Sequence, residues 1–268
     1  MTVARMARLT VSFVDEYCQL FSGLFPEVRS FEAFKLLHLG IISGIGRKSL
    51  PAIAKALGLD NQQNLHHFLS ESPWSVYQFR QHRLQMILEV LKGRSILLLI
   101  EDSGDCKKGC STDYVQRQYI SNIHKKENGI TAITAYGLVD GMVFPLAFEV
   151  YKPIERLKPG DEYRSKSEIV VMLIQHLQSM GFVIELILTD SLCGESKTSV
   201  VEMFDAMRLP YILVVRNDRA LWLPTDQNAY QEPWQELKRT LNNGITEVRY
   251  ITEVVYGDRQ RTQYYILS

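Results

Sequence analysis

Two apolar runs that each end in an aspartate constrain this 268-residue chain most. Ser95-Ile-Leu-Leu-Leu-Ile-Glu-Asp102 and Phe182-Val-Ile-Glu-Leu-Ile-Leu-Thr-Asp190 are short and almost continuously apolar, the pattern of strands covered on both faces. Such strands occupy the middle of a sheet and require helices packed against it. Each also delivers an acid at its carboxyl end. If the strands are neighbours, the two carboxylates meet at one edge of the sheet, where they repel unless a divalent cation with oxygen ligands joins them. Two such ions serve phosphoryl transfer, one activating the attacking oxygen and the other stabilising the leaving one. Either aspartate alone reads more simply as a turn or cap residue; the matched pair reverses that balance. Adjacent strand residues face opposite sides, so Glu101 stays open as an alternative to Asp102.

The segments around these runs predict an α/β fold. Residues 129–139 and 142–151 are β runs joined by Asp140-Gly141, a hairpin signal. A polar loop over 152–164 leads to a helix over 165–180, with Ile169, Met172, Leu173, His176 and Leu177 at helical spacing and Gly181 as its stop. A helix over 195–207 and a strand over 211–215 follow the second apolar run. Three antiparallel strands, helix, strand, helix, strand is the order of a ribonuclease H-like mixed sheet flanked by helices. A dinucleotide-binding fold is disfavoured, because Ser103-Gly-Asp-Cys-Lys-Lys-Gly109 follows the first strand in place of a Gly-x-Gly-x-x-Gly turn. Beyond 217 the pattern loosens into Pro224, Pro233, a helix over 234–241 and a strand pair over 245–256 and 262–268 turning at Gly257-Asp258. A chain that stops inside such a hairpin is expected to be a β-rich region cut short.

Residues 1–94 read as helical. A helix over 31–42 gives way to glycines. Residues 49–60 form a short helix with Ser49 placed to cap it, Pro51 in its first turn and Gly58 at its end. The next helix opens on Gln62, Gln63 and Asn64, and an amphipathic helix covers 75–92. Short helix, glycine turn and amide-rich second helix outline a helix-turn-helix that presents amides to base edges. A helical hairpin packed on the following domain fits equally well. His66 and His67 lack a carboxylate partner or metal spacing and read as surface residues. The expected partition is a helical, helix-turn-helix-like DNA-binding region over 1–94, a catalytic core over 95–216 and a partial β-rich insertion over 217–268.

Charge is balanced overall, 30 Lys and Arg against 30 Asp and Glu, but unevenly placed. Residues 1–94 hold 11 basic and 7 acidic residues, which leaves 19 against 23 for the remainder. A basic module ahead of an acidic one suits a DNA-handling protein with a carboxylate core, and many ordinary two-domain proteins too. Lys107, Lys108, Arg117, Lys125 and Lys126 form the densest basic stretch, close behind the first acid, and with Arg47 and Lys48 are the candidate phosphate contacts. A solvated loop explains that stretch nearly as well. Four scattered cysteines read as reduced thiols, and Cys106 and Cys110 lack the second Cys/His pair of a zinc site. No run approaches the roughly 20 apolar residues of a membrane span, and no secretory signal opens the chain; a cytoplasmic location is expected.

With these residues in place, the sequence resembles transposases of the DDE superfamily encoded by bacterial insertion sequences, in the branch with a β-rich insertion in the catalytic domain. The resemblance spans most of the chain. It is carried by Glu101-Asp-Ser-Gly-x-x-Lys-Lys-Gly109, by Arg117-Gln-Tyr119 with a lysine and Asn128 ahead of the second strand, by Leu188-Thr-Asp-Ser-x-x-Gly194, and by Ser72-Pro-Trp74. It implies that Asp102 and Asp190 are catalytic and hold Mg²⁺ or Mn²⁺. It further implies hydrolysis of a phosphodiester at a transposon end and joining of the freed 3′-hydroxyl to target DNA, with double-stranded DNA as partner and a homodimer as a possible assembly. The sequence departs from the family in two places. Cys193 stands where relatives often carry an aromatic residue, and the Tyr-Arg-Glu motif that supplies the third acid is absent up to Ser268. Glu236 is the candidate inside the chain, with an exposed amphipathic helix as its simpler reading. The expectation is therefore an incomplete copy with impaired cleavage. The alternatives are a non-catalytic DNA-binding remnant or regulator, and a ribonuclease H-like nuclease with a rearranged acid.

Overall fold

The computed structural model describes residues 6–120, 123, 125–189, 203–213, 235–240, 246–254 and 264–267. The chain divides into two compact units, Met1–Val214 and Val215–Ser268.

The first unit opens with five helices: α1 (Ser12–Gln19), α2 (Val28–Ile42), α3 (Leu50–Ala56), α4 (Gln63–Ser70) and α5 (Val76–Leu91). Their apolar stripes converge on an aromatic core of Phe21, Phe25, Phe31, Phe34 and Phe68, joined by Val14, Cys18, Ile53 and Leu65. Rings stack within it, Phe68 on Trp74 at 5.2 Å and Phe21 on Phe79 at 4.9 Å. The Trp74 indole N–H also donates to the Phe68 carbonyl at 2.8 Å, which ties the Ser72-Pro-Trp74 segment to the end of α4. Burial pushes the Cys18 thiol up to about 11, so this cysteine stays protonated and inert. Gly40 lets α2 and α3 approach closely, since a Cβ there would lie 2.2 Å from Ile53 Cγ2. Ser49 occupies the cap position of α3 as expected, but its side chain makes no capping bond there; the proline in the first turn sets the helix start.

Helix α5 belongs to both cores. Phe79 and Met86 pack on the aromatic cluster, whereas Leu84 and Leu91 lie in a second cluster built on the sheet. Arg83 on the same helix donates to the Pro145 carbonyl at 2.7 Å and to the Leu146 carbonyl.

The sheet contains β1 (Ile96–Cys106), β2 (Gln116–Ile120), β3 (Lys125–Val139), β4 (Met142–Val150), β5 (Ile184–Thr189) and β6 (Tyr211–Leu213). β3 pairs antiparallel with β1, β2 and β4, while β5 runs parallel to β1 and β6 parallel to β5. This is the mixed sheet flanked by helices that the strand order predicts. Asp140 and Gly141 both adopt positive φ, 52° and 77°, as a two-residue β3–β4 turn requires. α6 (Lys166–Met180) crosses back between β4 and β5. It starts on a reciprocal capping box between Ser165 and Glu168 and ends at Gly181 with φ 102°. Ile169, Val170, Leu173, Ile174 and Leu177 cover the face of the sheet that carries Leu98, Ile100, Ile133 and Ala135.

β2 was not expected. Gln116, Arg117 and Gln118 are polar and only the last residue, Ile120, is buried, so the segment reads as a basic loop, but β3 extends far enough beyond β1 to pair with it. Gly129 stands where the strands join; a Cβ there would meet the Asp105 carbonyl oxygen at 2.7 Å. The helix expected over 195–207 is described only at 203–207, which is helical.

The second unit contains β7 (Gln235–Thr240), β8 (Thr246–Val254) and β9 (Tyr264–Leu267) in one antiparallel sheet. The helix expected over 234–241 is instead strand β7. Gln-Glu-Leu-Lys-Arg-Thr has helical propensity, but it pairs residue for residue with β8, and pairing across the sheet overrides a weak local preference.

Candidate active site

The two acids expected to end the first strand lie inside it, because pairing with β3 carries β1 on to Cys106, and strand alternation decides between them. Ile96, Leu98, Ile100 and Asp102 are buried on one face, and Glu101 is exposed. Asp102 thus takes the position after Ile100 at which the core stripe calls for an apolar residue, and it is 9% exposed. A carboxylate held there must be compensated. The compensation comes from Lys166, the first residue of α6, whose Nζ donates to Asp102 Oδ2 at 2.6 Å across 64 residues of sequence. The same ammonium lies 5.4 Å from the centre of the Tyr151 ring. Sequence reasoning missed Lys166; its only signal was the Ser165-x-x-Glu168 box that fixes it in the first turn of a helix.

The neighbouring strand β5 ends level with Ile100, while β1 runs on to Cys106. Thr189, buried at the end of β5, is in register with Ile100 on one side and Leu213 on the other. Asp190 lies outside the described residues, as does Cys193. Glu236 is on β7, not on a helix, and is exposed with its carboxylate 2.7 Å from Lys238.

The candidate phosphate contacts fall into three places. Lys107 follows β1 directly, its ammonium paired with Asp105 and its backbone N–H bonded to the Asn128 carbonyl at 2.8 Å. Lys108 is exposed in the loop that follows. Arg117 on β2 and Lys125 and Lys126 on β3 are exposed on the ribbon beyond β1. Asp102 pairs with Ile133, so at about 3.4 Å per residue Lys125 stands roughly 27 Å from it along β3. These lysines therefore flank the acid at a distance instead of lining it. Alternation places Lys125 on the Asp102 face and Arg117 with Lys126 on the other.

Arg47 and Lys48 are exposed between α2 and α3, with Lys48 donating to the Ser43 carbonyl. Gln62, Gln63 and Asn64 are exposed at the start of α4, whose inner face is anchored by Leu65 and Phe68. Asn61 Oδ1 accepts from the Gln63 N–H at 2.9 Å and so shapes the turn into the helix. Sequence reasoning also missed Arg29. It lines a cleft of about 200 Å³ between α2 and α4 together with Gln63, Asn64 and His67. His66 and His67 are exposed, as expected.

An ionic hub holds the loop after β1 against the loop before α6. Asp161 accepts from Lys152 at 2.5 Å, from the Lys158 backbone N–H at 2.8 Å and from the Tyr114 hydroxyl at 3.2 Å. The Lys152 ammonium, then the Lys158 N–H, pull its carboxyl down to about 2. Lys158 reaches across to Asp113, and Arg156 donates to the Cys110 carbonyl at 2.7 Å. The loop after β1 and the loop that leads to Lys166 are thereby fixed to each other.

A family model described as DDE superfamily endonuclease matches residues 21–244. The chain belongs to this superfamily. It is 52% identical over its whole length to the probable transposase for insertion sequence element IS701 of Microchaete diplosiphon, of which it covers 70%. This is the sequence of an insertion-sequence transposase, and DNA is the substrate class of that activity. Among solved structures it is similar to the Drosophila P element transposase strand transfer complex. There the TM-score is 0.25 and the identity 11%, over 75% of this chain and 47% of that one. The Aquifex aeolicus PPX-GPPA enzyme gives a TM-score of 0.21 and 8% identity over 63% and 52%. At these scores neither bears on function.

DDE endonucleases use divalent metal ions. The donor chemistry at Asp102 fits such an ion: a hard carboxylate oxygen, held within β1 and already facing a cationic group at 2.6 Å. Among the described residues no three His, Cys, Asp or Glu side chains converge into a metal-holding group, and no helix is long and apolar enough to cross a membrane.

Proposed function

We propose that this DDE chain supplies two of the acids, Asp102 and Asp190, that hold Mg²⁺ or Mn²⁺ where a phosphodiester at a transposon end is hydrolysed and the freed 3′-hydroxyl joined to target DNA, and that residues 1–268 alone cleave poorly for want of a third acid. The observation that carries the reading is the buried carboxylate of Asp102 on a central strand, two residues beyond Ile100, which is in register with Thr189, the residue bonded to Asp190, on the adjoining parallel strand. When bound, the divalent ions activate the attacking oxygen and stabilise the leaving one. The chain's own contribution is orientation. Asp102 is fixed by β1 on the core side, and the hub around Asp161 ties the loop that leads into α6 to the loop after β1. Lys107 and Lys108 next to the strand end, with Arg117, Lys125 and Lys126 along the ribbon, supply a basic track for backbone phosphates. Gln63 and Asn64 of α4 and Arg29 of α2 supply amides and a guanidinium suited to base edges and phosphate. A homodimer, bringing one such surface to each end of the element, belongs to the same proposal.

The test is strand cleavage and strand transfer on DNA carrying the element's own ends, in Mg²⁺ and in Mn²⁺. It is run with this chain and with a chimera that continues into the remainder of the 52%-identical relative. Asp102→Asn and Asp190→Asn should each lower the chimera's rate by on the order of a hundredfold or more. Full activity in either variant would overturn the assignment.

A further inference from the structure

We infer that Lys166 is a positioning residue for Asp102: its ammonium occupies the carboxylate while no divalent ion is bound and has to be displaced for one to bind there. This rests on the reading of Asp102 as a metal ligand. Three observations support it. First, the pair is close and nearly dry, with side-chain exposures of 10% for Asp102 and 28% for Lys166. Second, Lys166 sits at the first residue of α6. A helix amino end carries partial positive charge and disfavours a cation, so the lysine stands there against its local field and is offset by the carboxylate it meets. Third, its direction is fixed from both sides, by the Ser165–Glu168 capping box on the backbone and by the Tyr151 ring beneath the ammonium. A divalent ion on the same carboxylate would lie within a few ångströms of that ammonium, and in a site of reduced dielectric the two cations repel strongly.

The consequence has a sign that a purely structural lysine would not produce. Removing a structural interaction lowers both stability and ligand affinity, whereas removing a competing cation lowers metal-free stability and raises metal affinity. Mn²⁺ binding to the full chain is measured by the loss of the free-ion paramagnetic signal on titration, and melting temperature is measured with and without Mn²⁺. Lys166→Gln keeps a hydrogen-bond donor without the charge, and Lys166→Met removes both. Each is expected to bind Mn²⁺ on the order of tenfold more tightly than the parent chain, to melt lower without metal and to gain more from it. Lys166→Arg retains the charge and should stay near the parent affinity. Asp102→Asn separates the two layers of the argument. If it weakens Mn²⁺ binding while Lys166→Gln leaves affinity unchanged or lower, the competing role of Lys166 is overturned and Asp102 remains a ligand. If Asp102→Asn leaves Mn²⁺ binding intact, the ligand assignment fails and the inference falls with it.

Discussion

Phe68→Ala tests how α4 is held in the orientation that exposes Gln63 and Asn64. Phe68 is 2% exposed and stacks on Trp74 with an interplanar angle of 12° at 5.2 Å, with Phe25 at 5.9 Å and Phe34 at 6.3 Å. Only Leu65 and Phe68 of this eight-residue helix are buried, and a helix that short has little stability of its own. Truncating a buried phenylalanine costs about 3–5 kcal/mol, as lost transfer energy plus the cavity left among neighbours that cannot collapse. For a unit of this size, that is a fall in melting temperature on the order of 10 °C. Leu69→Ala is the internal control: the next residue, 49% exposed, should change stability by less than about 0.5 kcal/mol. Denaturant unfolding followed by tryptophan fluorescence, in a background with Trp222 and Trp234 replaced by phenylalanine, reports on Trp74 directly, and DNA binding by the same variants reports on α4. Phe68→Ala should lose end-specific binding while Leu69→Ala keeps it. A loss below about 1.5 kcal/mol for Phe68→Ala, or equal effects of the two substitutions, would refute the seat assigned to α4.

Two further predictions concern charge. Asp161 has its carboxyl lowered to about 2, so its stabilising contribution is complete above the ordinary carboxylate value of 3.8 and is lost as pH falls towards 2. The melting temperature of Asp161→Asn should accordingly sit below that of the parent chain at pH 6 and converge with it near pH 2, and a constant gap across that range would remove Asp161 from the role of hub. In DNA binding, neutralising Lys107 and Lys108 should weaken all sequences alike and reduce the salt-dependence slope by roughly one unit for each phosphate that no longer meets a lysine. Gln63→Ala and Asn64→Ala should instead relax preference between sequences at an unchanged slope, and a slope that shifts with the amides but not with the lysines would exchange the two roles.

The centre of the sheet was legible because its signals are local. The apolar runs mark β1 and β5, Asp140-Gly141 marks the β3–β4 turn, and Ser165 with Gly181 brackets α6. What escaped was structure formed by pairing rather than by composition. β2 is polar over Gln116, Arg117 and Gln118 and aliphatic only at Ile120, so too little of it is apolar to separate a strand from a basic loop. β7 carries a helix-favouring sequence and becomes a strand through its register with β8. Both misreadings touched the candidate site: β2 extends the basic stretch away from Asp102 along a ribbon, and β7 removes Glu236 from the helix on which a third acid was sought.

The choice between Glu101 and Asp102 shows where sequence reading stops and why. Alternation says that adjacent residues face opposite ways, but not which way is inward, since a strand that is apolar on both sides offers no polar face as reference. The inward face is set by the helix that covers it, and α6 is placed by Ile169, Leu173 and Leu177 against the same face as Ile100 and Ile133. Once α6 is seated there, two things follow together. Asp102 turns inward, and the first residue of α6 is carried alongside β1, where Lys166 meets it. The acid's burial and its counter-ion thus have one cause, the packing of one helix on one face. A substitution that shifts α6 without touching either charge, such as Leu173→Ala, should disturb both at once.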